Sequence, residues 1–429
     1  MIPFNRSVFH WQDGLDLLHS FVSKRYELRV LSSIKMLDIH NLLFTSSCRS
    51  ALYLAYRALN LKGKVIVSPL TCDDAIIPIV AAGLRPEFAD ICPLTFNVCP
   101  VSVRRKIDKE TAAIQAIYLG GNPSGASTLR SIALENNLVF IEDCAHSLGA
   151  RDQGRWVGTG DVGCFNFTKS LDGAGGALVG CERILEKATA IQREWHYTPR
   201  PLIGYRITRS LLSGSSSALF NKYVYDFLMR LVGKFTRNRP DPEAGQVDKK
   251  MSRPRLMEMY WSAHQIPKLN GVIIARKSAA DLLTSILRAR VHGIQLQVHF
   301  NGAEGVYTRY YIRVPGKTWQ VNQMLQKHGV DAKHLRQKYG ALYQERFERA
   351  AWLRPYIQIA ELPNYQTVHD NLIALPLYAG LSKADAQKIA DALVISLGTS
   401  YDPDFGGLQS VCSECEDAPN AGDYTRYFL

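Results

Sequence analysis

The sequence predicts an α/β protein, with a mainly parallel central sheet in a large domain and a smaller α/β domain towards the C-terminal end. A length of 429 residues is enough for two domains around a large core. Between residues 41 and 192, short runs rich in β-branched and apolar residues alternate with helical patterns. Such alternation is typical of a parallel sheet with helices on both faces. The sequence shows no internal repeat.

The elements of the large domain follow from local patterns. Residues 1–40 are expected to form an N-terminal arm with one or two helices. A strand, a turn and a helix are predicted over 41–61, because Ser46 or Ser47 can cap a helix whose apolar residues recur at the helical period. Further strands, separated by helices, are predicted at 65–71, 86–91, 111–120 and 138–144.

The C-terminal part has a different order of predicted helices and strands. From residue 251 to 405, long helices give way to alternating helices and strands, which predicts the smaller domain. A strand is expected at 310–315, and helices at 319–329 and 382–398. Residues 406–429 have the composition of a loop-like tail.

Composition places the chain among ordinary globular proteins. Apolar residues make up 46% and charged residues 21% of the sequence. The first residues lack an uninterrupted apolar stretch, and no apolar run reaches 18 residues, so neither a signal peptide nor a membrane-spanning helix is expected. A cytoplasmic protein with reduced thiols is therefore predicted. The CxxC at 412–415 has no histidine or second pair beside it, so no metal site is expected.

Residues 193–250 interrupt the alternation as a basic, amphipathic insertion. Arg193 to Arg255 contain 13 Lys/Arg and 5 Asp/Glu, which is +8 of the formal net charge of +12. Within it, 218–235 predicts a helix with aromatic and apolar residues on one face and mostly basic residues on another. Such a helix can lie peripherally on an anionic membrane or pack on its own domain or a partner subunit. The charge also suits an acidic substrate, and no nucleic-acid partner is expected.

The segment IEDCAHSLGA (141–150) indicates a reactive site. It begins as a buried strand and ends in Asp143, at the carboxyl edge where open α/β sheets bind ligands. Lys169 follows 26 residues later, before a glycine-rich loop. A lysine that holds pyridoxal 5'-phosphate as a Schiff base, and a carboxylate that keeps the pyridine nitrogen protonated, are the groups this cofactor requires.

Several blocks together resemble the DegT/DnrJ/EryC1/StrS family of pyridoxal-phosphate enzymes, most of which are nucleotide-sugar aminotransferases. The blocks are SSCRSALYLAYRAL, KVIVSPLTCDDAIIPIVAAGLRPEFADICPLTFNVCP, GNPSGA, LVFIEDCAHSLGA, GRWVGTGDVGCFNFTKSLDGAGGALV and NLIALPLYAGLS. They lie in about 42–180 and in parts of 253–400. The resemblance implies a fold-type-I pyridoxal-phosphate transferase in which 41–192 form the cofactor-binding domain, and a homodimer with its sites at the subunit interface.

The resemblance also assigns roles to single residues. Asp143 falls on the carboxylate that binds the pyridine nitrogen, and Lys169 falls on the Schiff-base lysine. His146 falls on the position beside the cofactor ring. Ser47, Cys48 and Arg49 stand where the family has Ser-Gly-Thr at a helix N-terminus, which is expected to bind the cofactor phosphate. Arg49 can reach that phosphate, an anionic substrate or solvent.

Three positions depart from the family's pattern. Cys72 replaces an aromatic residue that stacks on the pyridine ring. One residue is missing between FNF and Lys169, so the phosphate-binding serine maps onto Asn166 or Cys164. Met251, two residues before Arg253-Pro254, replaces an asparagine that reaches the partner's phosphate.

The predicted function is amino transfer through a Lys169 internal aldimine. The amino group would come from an amino acid, commonly glutamate in the family, and go to a keto sugar on a nucleotide or a related anionic carrier. One alternative is removal of a sugar hydroxyl, although family members that do this typically have histidine at the lysine position. Another is a catalytically inactive binding or scaffold subunit, which the departures at Cys72 and Met251 and a glycine-rich loop one residue shorter than in the family would suit.

Overall fold

The computed structural model describes residues 2–3, 41–171, 173–198, 251–335, 356, 362–398 and 401. Most of the predicted N-terminal arm, the insertion beyond residue 198 and the tail over 406–429 lie outside these residues. The amphipathic helix over 218–235 and the CxxC at 412–415 therefore stay predictions. None of the cysteines in the described part of the chain forms a disulfide bond.

A seven-stranded sheet forms the centre of the large domain. Strands from residue 41 to 193 are β1 (Leu42–Thr45), β2 (Lys64–Val67), β3 (Arg85–Phe88), β4 (Thr111–Ile117), β5 (Val139–Cys144), β6 (Arg151–Asp152), β7 (Arg155–Trp156), β8 (Val162–Asn166) and β9 (Gly176–Gly180). The order across the central sheet is β1-β9-β8-β5-β4-β2-β3. Strand β9 is antiparallel to both of its neighbours, and β8, β5, β4, β2 and β3 run parallel. The predicted α/β class with a mainly parallel sheet is confirmed.

Helices cover both faces of this sheet. They are α1 (Cys48–Leu59), α2 (Asp73–Ala81), α3 (Pro100–Lys106), α4 (Ala126–Glu135), α5 (Phe167–Ser170) and α6 (Glu182–Arg193). Side chains of β2 show why both faces are apolar. Val65 and Val67 pack in the cluster that contains the buried face of α1, whereas Ile66 packs in the cluster that contains α4. All three are fully buried, and complete burial of such a side chain stabilises a fold by roughly 1.5–3 kcal/mol.

The C-terminal part forms a second layer of helices and an antiparallel sheet. Its elements are α7 (Leu256–Gln265), α8 (Leu269–Arg290), β10 (Gln295–Leu296), β11 (Ala303–Glu304), β12 (Tyr310–Arg313), α9 (Thr318–Lys327), β13 (Lys333–His334), α10 (Pro363–His369), β14 (Leu372–Leu375) and α11 (Lys383–Leu397). The sheet order is β10-β12-β14-β13, and α8, α9 and α11 bury their apolar faces against it. The domain boundaries inferred from the sequence stay predictions.

The C-terminal part is bonded to loops at the carboxyl edge of the central sheet. Both carboxylate oxygens of Asp90 accept backbone N–H groups, from Asn364 at 2.9 Å and Tyr365 at 2.8 Å. The N–H of Val306 donates to the carbonyl oxygen of Gly121 over 3.0 Å. The bond from Val306 places residues 305–309 directly beside the loop that follows β4. Among the described residues, no helix is both long and apolar enough to cross a membrane.

Candidate active site

Asp143 lies at the end of β5, where the alternation of the strand turns it away from its neighbour Glu142. Its Oδ1 accepts the backbone N–H of Ala145 at 3.0 Å and the thiol of Cys48 at 3.3 Å. Burial raises the pKa of Asp143, and the positive charge of Lys169 opposes this rise. The carboxyl group is therefore placed where a positive partner would stabilise its ionised form.

Glu142 has a structural environment on the other face of the sheet. The hydroxyl of Tyr118 donates to Oε1 at 2.6 Å, while Arg130 and the N–H of Gly160 donate to Oε2 at 3.1 and 2.7 Å. Three donors satisfy this fully buried carboxylate. Of the two adjacent acids, Asp143 alone points to the candidate site.

His146 links Asp143's loop to the lysine. The backbone N–H of Gly120 donates to Nδ1 over 3.2 Å, and Nε2 lies 3.1 Å from Nζ of Lys169. Because Nδ1 accepts a hydrogen bond, a neutral ring carries its proton on Nε2, which can donate to Nζ when the lysine amine is unprotonated. The hydroxyl of Thr308 donates to the backbone oxygen of His146 at 2.9 Å, so residues from the C-terminal part also fix this loop.

Lys169 is carried on α5, a single helical turn held at both ends. Oδ1 of Asn166 caps its start by accepting the N–H of Thr168 at 2.8 Å. At its end, the buried Arg276 of α8 donates from Nη1 to the carbonyl oxygen of Ser170 at 3.0 Å. This bond puts a cation at the C-terminal end of the turn, which is the favourable arrangement.

The loop after Lys169 is fixed by Ser262 of α7. Its hydroxyl donates to the carbonyl oxygen of Ala174 and accepts the N–H of Ala174 at 2.9 Å. A Cβ on Gly173 would lie 2.9 Å from Cβ of Phe167 and 3.0 Å from Oγ of Ser262, so this close approach needs glycine. The glycine-rich loop is short but tightly held.

The N-terminus of α1 meets the ends of β5 and β8. Ser47 is the N-cap, and its Oγ accepts the N–H of Ser50 at 3.1 Å. Cys48 turns inward, where burial and the Asp143 carboxylate raise the pKa of its thiol, which therefore stays protonated and donates. Arg49 forms an ion pair with Asp74 of α2 rather than pointing to bulk solvent.

Cys72 precedes α2 and lies within electrostatic range of Lys169 and Asp143. Burial raises its pKa to about 11, so the thiol is protonated at neutral pH. Its side chain makes no capping hydrogen bond with α2. Cysteine at this position offers a small apolar surface where the resemblance leads us to expect a ring.

Two other residues that the sequence analysis singled out are buried: Cys164 beside Asp143 on the neighbouring strand, and Met251 between helices. Cys164 is fully buried in β8, and its carbonyl oxygen, rather than its thiol, accepts a hydrogen bond from Cys48 at 3.3 Å. Met251 packs with Tyr53 and Ile77 between α1 and α2 and is 6% exposed. The structure thus brings Cys48, Asp143, His146 and Lys169 together, with Asn166 at the start of the lysine helix.

Sequence patterns did not indicate four residues that hold these groups: Gly120, Ser262, Arg276 and Thr308. Gly120 precedes the quoted GNPSGA block by one position, and a Cβ there would lie 3.1 Å from the ring of Tyr311, which is a tight contact. Ser262 and Arg276 lie 93 and 107 positions after Lys169 in ordinary helical patterns. Local periodicity contains no signal that either of them contacts the lysine segment.

Comparison with known proteins identifies the family to which this chain belongs. The model of the DegT/DnrJ/EryC1/StrS aminotransferase family matches residues 35–194 and 258–394, more than half of the chain, and the chain belongs to this family. The resemblance inferred from the sequence is confirmed. GDP-perosamine synthase of Vibrio cholerae is 35% identical over 161 residues, which cover 34% of this chain and 44% of that protein. The chain thus aligns with less than half of that relative's length.

Other similarities extend over most of the chain. The spore coat polysaccharide biosynthesis protein SpsC of Bacillus subtilis is 25% identical over 365 residues, 81% of this chain and 83% of SpsC. The structure of PseC from Helicobacter pylori, an aminotransferase in pseudoaminic acid biosynthesis, superposes with a TM-score of 0.70 at 18% identity, covering 92% of this chain and 98% of PseC. An E. coli GDP-4-keto-6-deoxy-D-mannose-3-dehydratase with bound hydrated PLP gives a TM-score of 0.70 at 17% identity, covering 92% of this chain and 99% of that one. The PseC and dehydratase structures both have the fold of this chain.

Proposed function

We propose that this chain is a pyridoxal-phosphate-dependent aminotransferase that moves an amino group from glutamate to a keto sugar on a nucleotide or related anionic carrier. The contact of 3.1 Å between Lys169 Nζ and His146 Nε2, beside the buried Asp143 carboxylate, carries the proposal. Membership in the aminotransferase family and similarity to proteins named as sugar aminotransferases support it. The proposal includes a homodimer in the cytoplasm.

The site residues fit the cofactor. Both hydrogen bonds that Asp143 accepts from described residues end on Oδ1, which leaves Oδ2 for the protonated nitrogen of a pyridine ring. The N-terminus of α1 is linked to this carboxylate through the Cys48 thiol, and the first N–H groups of the helix favour an anion such as the cofactor phosphate. We assign the contact with this phosphate to Asn166 rather than to Cys164, because the Cys164 side chain is fully buried and that of Asn166 is not. When bound, the cofactor supplies an electron sink for the pair left by a departing proton.

The chain's own residues then act on protons. Lys169 Nζ would hold the cofactor and, once free, would be the base that removes and returns a proton at the carbon bearing the amino group. The Nε2–H of His146 orients the lone pair of that amine. Oδ2 of Asp143 keeps a proton on the ring nitrogen. Burial strengthens this pairing, because it destabilises an ionised carboxylate that lacks a positive partner.

The structure favours this function over the two alternatives. Dehydratase chemistry in the family goes with histidine in place of the lysine, whereas Lys169 is present and is held from both ends of α5. A scaffold function was motivated partly by Met251, which packs in the protein's own core. Packing between α1 and α2 therefore explains why methionine stands at position 251 in place of the family's asparagine. Peripheral membrane contact through 218–235 stays a prediction.

The donor half of the reaction tests the proposal without knowledge of the sugar. Protein loaded with pyridoxal phosphate, freed of excess cofactor and mixed with L-glutamate, should release about one equivalent of 2-oxoglutarate per loaded subunit and then stop. The Lys169→Ala variant should release none. A wild-type protein that holds the cofactor but releases no 2-oxoglutarate would contradict the assignment of glutamate as donor.

A further inference from the structure

A second cavity lies between α8 and the antiparallel sheet. Its volume is about 180 Å³. We call it the α8 pocket, and its lining residues are Asp281, Thr284, Arg288, Leu296, Gln297, His299, Tyr307, Arg309, Tyr310 and Tyr311. None of the reactive groups of the candidate active site lines it. The described lining of the α8 pocket is therefore distinct from the reactive groups of the candidate active site.

His299 is the most unusual group in the α8 pocket. Its ring stacks on Tyr307 with 4.8 Å between centroids and an interplanar angle of 19°. Burial, together with the nearby charge of Lys277, lowers its pKa to about 4, so the ring is neutral at physiological pH. A Cβ on Gly305 would lie 2.2 Å from Cε1 of this ring, so glycine is needed for its position. The imidazole makes no hydrogen bond with another described residue and can offer one donor and one acceptor to a ligand.

Two guanidinium groups and one carboxylate line the same cavity. Arg309 lies on its wall, and Arg288 and Asp281 lie on the exposed side of α8. Asp281 forms no ion pair with another residue in the part of the chain that the structure describes. Gln297 uses Nε2 to donate to the carbonyl oxygens of Thr95 and Leu119, at 2.8 and 3.1 Å, which leaves its Oε1 as an acceptor. Among the described lining residues, the charged side chains are thus two guanidinium groups and one carboxylate.

The pocket wall is bonded directly to the candidate active site. Tyr307 has a left-handed backbone (φ 49°), which is uncommon for a residue other than glycine and is often found at functional sites. Its neighbour Thr308 donates to the backbone oxygen of His146 at 2.9 Å. The N–H of Arg309 donates to the carbonyl oxygen of Gly120 at 3.3 Å, and Gly120 in turn donates to the His146 ring. A ligand that orders residues 307–309 would also steady His146.

We propose that the α8 pocket binds an acidic amino acid. Two carboxylates on such a ligand match Arg288 and Arg309, and its ammonium group matches Asp281. The volume holds about six water molecules, which suits a compact molecule of this size and is smaller than the cavities that take nucleotide-sized ligands. The neutral His299 and Oε1 of Gln297 supply uncharged hydrogen bonds. This binding does not depend on the proposed function.

Calorimetric titration of the cofactor-free protein tests the proposal, because without cofactor the candidate active site cannot react with an amino acid. L-Glutamate should bind more tightly than L-glutamine, which lacks the second carboxylate, and than 2-oxoglutarate, which lacks the ammonium group. Inorganic phosphate should bind least. Loss of one charge-assisted pair should weaken binding about tenfold or more. Equal or tighter binding of 2-oxoglutarate or phosphate would reduce the site to one for simple anions, and absence of glutamate binding would overturn the proposal.

Single substitutions test whether glutamate binds in the α8 pocket. Arg309→Met and Asp281→Asn should each weaken glutamate binding about tenfold or more. Arg290→Met is the matched control, because Arg290 ends the same helix but pairs with Asp391 on the surface. Lys169→Ala should leave the affinity unchanged, and a loss of binding in that variant would place glutamate at the active site instead. Hydrogen exchange with glutamate present should show new protection in peptides covering 297–311 in wild-type protein, but not in Arg309→Met.

Discussion

The thiol of Cys48 lies 3.3 Å from Oδ1 of Asp143 and 3.3 Å from the carbonyl oxygen of Cys164. The first residue of α1 is thereby tied to the ends of two neighbouring parallel strands. Glycine, which the family resemblance places here, has no side chain and cannot make this bond. In this chain a protonated thiol therefore orients the carboxylate on which the cofactor ring would depend.

Cys48→Ala and Cys48→Ser separate the hydrogen bond from the packing. Both substitutions remove the sulfur, but only serine keeps a donor for the carboxylate. We expect Cys48→Ala to lower the free energy of unfolding by about 1–2 kcal/mol and to weaken cofactor binding, because Asp143 loses one of its two donors. Denaturant unfolding and cofactor titration measure both effects. Equal cofactor affinity in the two variants would show that the thiol hydrogen bond has no part in orienting Asp143.

Asp143→Asn should stabilise the cofactor-free protein while abolishing transfer. The folded-state pKa of Asp143 is raised from its usual 3.8, mainly by burial, so the folded chain binds this proton more tightly than the unfolded chain does. Ionisation then costs stability as the pH rises above 3.8, and the cost is fully present above the folded-state pKa. Asparagine removes this cost, so its stability advantage should grow from acidic to neutral pH.

Thermal unfolding of cofactor-free protein at several pH values measures this difference. Glu142→Gln is the contrasting variant, because Glu142 accepts three hydrogen bonds, one of them from Arg130. We expect it to be destabilised by roughly 1–3 kcal/mol at neutral pH. A wild-type protein that is more stable than Asp143→Asn at neutral pH would show that the ionised carboxylate is already well satisfied without the cofactor.

Arg276 is predicted to be a positioning residue for Lys169. Arg276→Met leaves the carbonyl oxygen of Ser170 without its cation, which should cost about 1–3 kcal/mol and loosen α5. Capture of pyridoxal phosphate by Lys169, followed by visible absorption, should become slower and less complete. Arg276→Lys should restore part of the capture, since it keeps a positive donor. Full capture by Arg276→Met, with only the stability changed, would restrict Arg276 to a structural role.

Much of this arrangement could be predicted because it is local. The ends of parallel strands meet at one edge of a sheet, so a strand ending in Asp143 and a lysine after β8 were expected to be close. The inward turn of Cys48 could not be predicted, because either serine before it could have capped the helix. The contacts of Ser262 and Arg276 depend on how α7 and α8 pack against the large domain. Tertiary packing of that kind leaves no signature in the helical period of either segment.

Cys72→Tyr should tighten cofactor binding. An aromatic ring at this position restores the stacking surface that the family resemblance implies, and aromatic stacking contributes about 0.5–1.5 kcal/mol beyond simple burial. The dissociation constant of pyridoxal phosphate should fall by roughly two- to tenfold. Cys72→Ala is the control for loss of the thiol alone. Weaker binding in the tyrosine variant would indicate that this chain has closed the space that the ring would occupy.

Borohydride reduction of the protein with bound pyridoxal phosphate, followed by peptide mapping, tests the central claim most directly. Reduction fixes the cofactor to the lysine that holds it. The account predicts one labelled peptide carrying Lys169, loss of that label in Lys169→Ala, and loss of the label when L-glutamate is added before reduction. A label on another lysine, or retention of the label in Lys169→Ala, would contradict it.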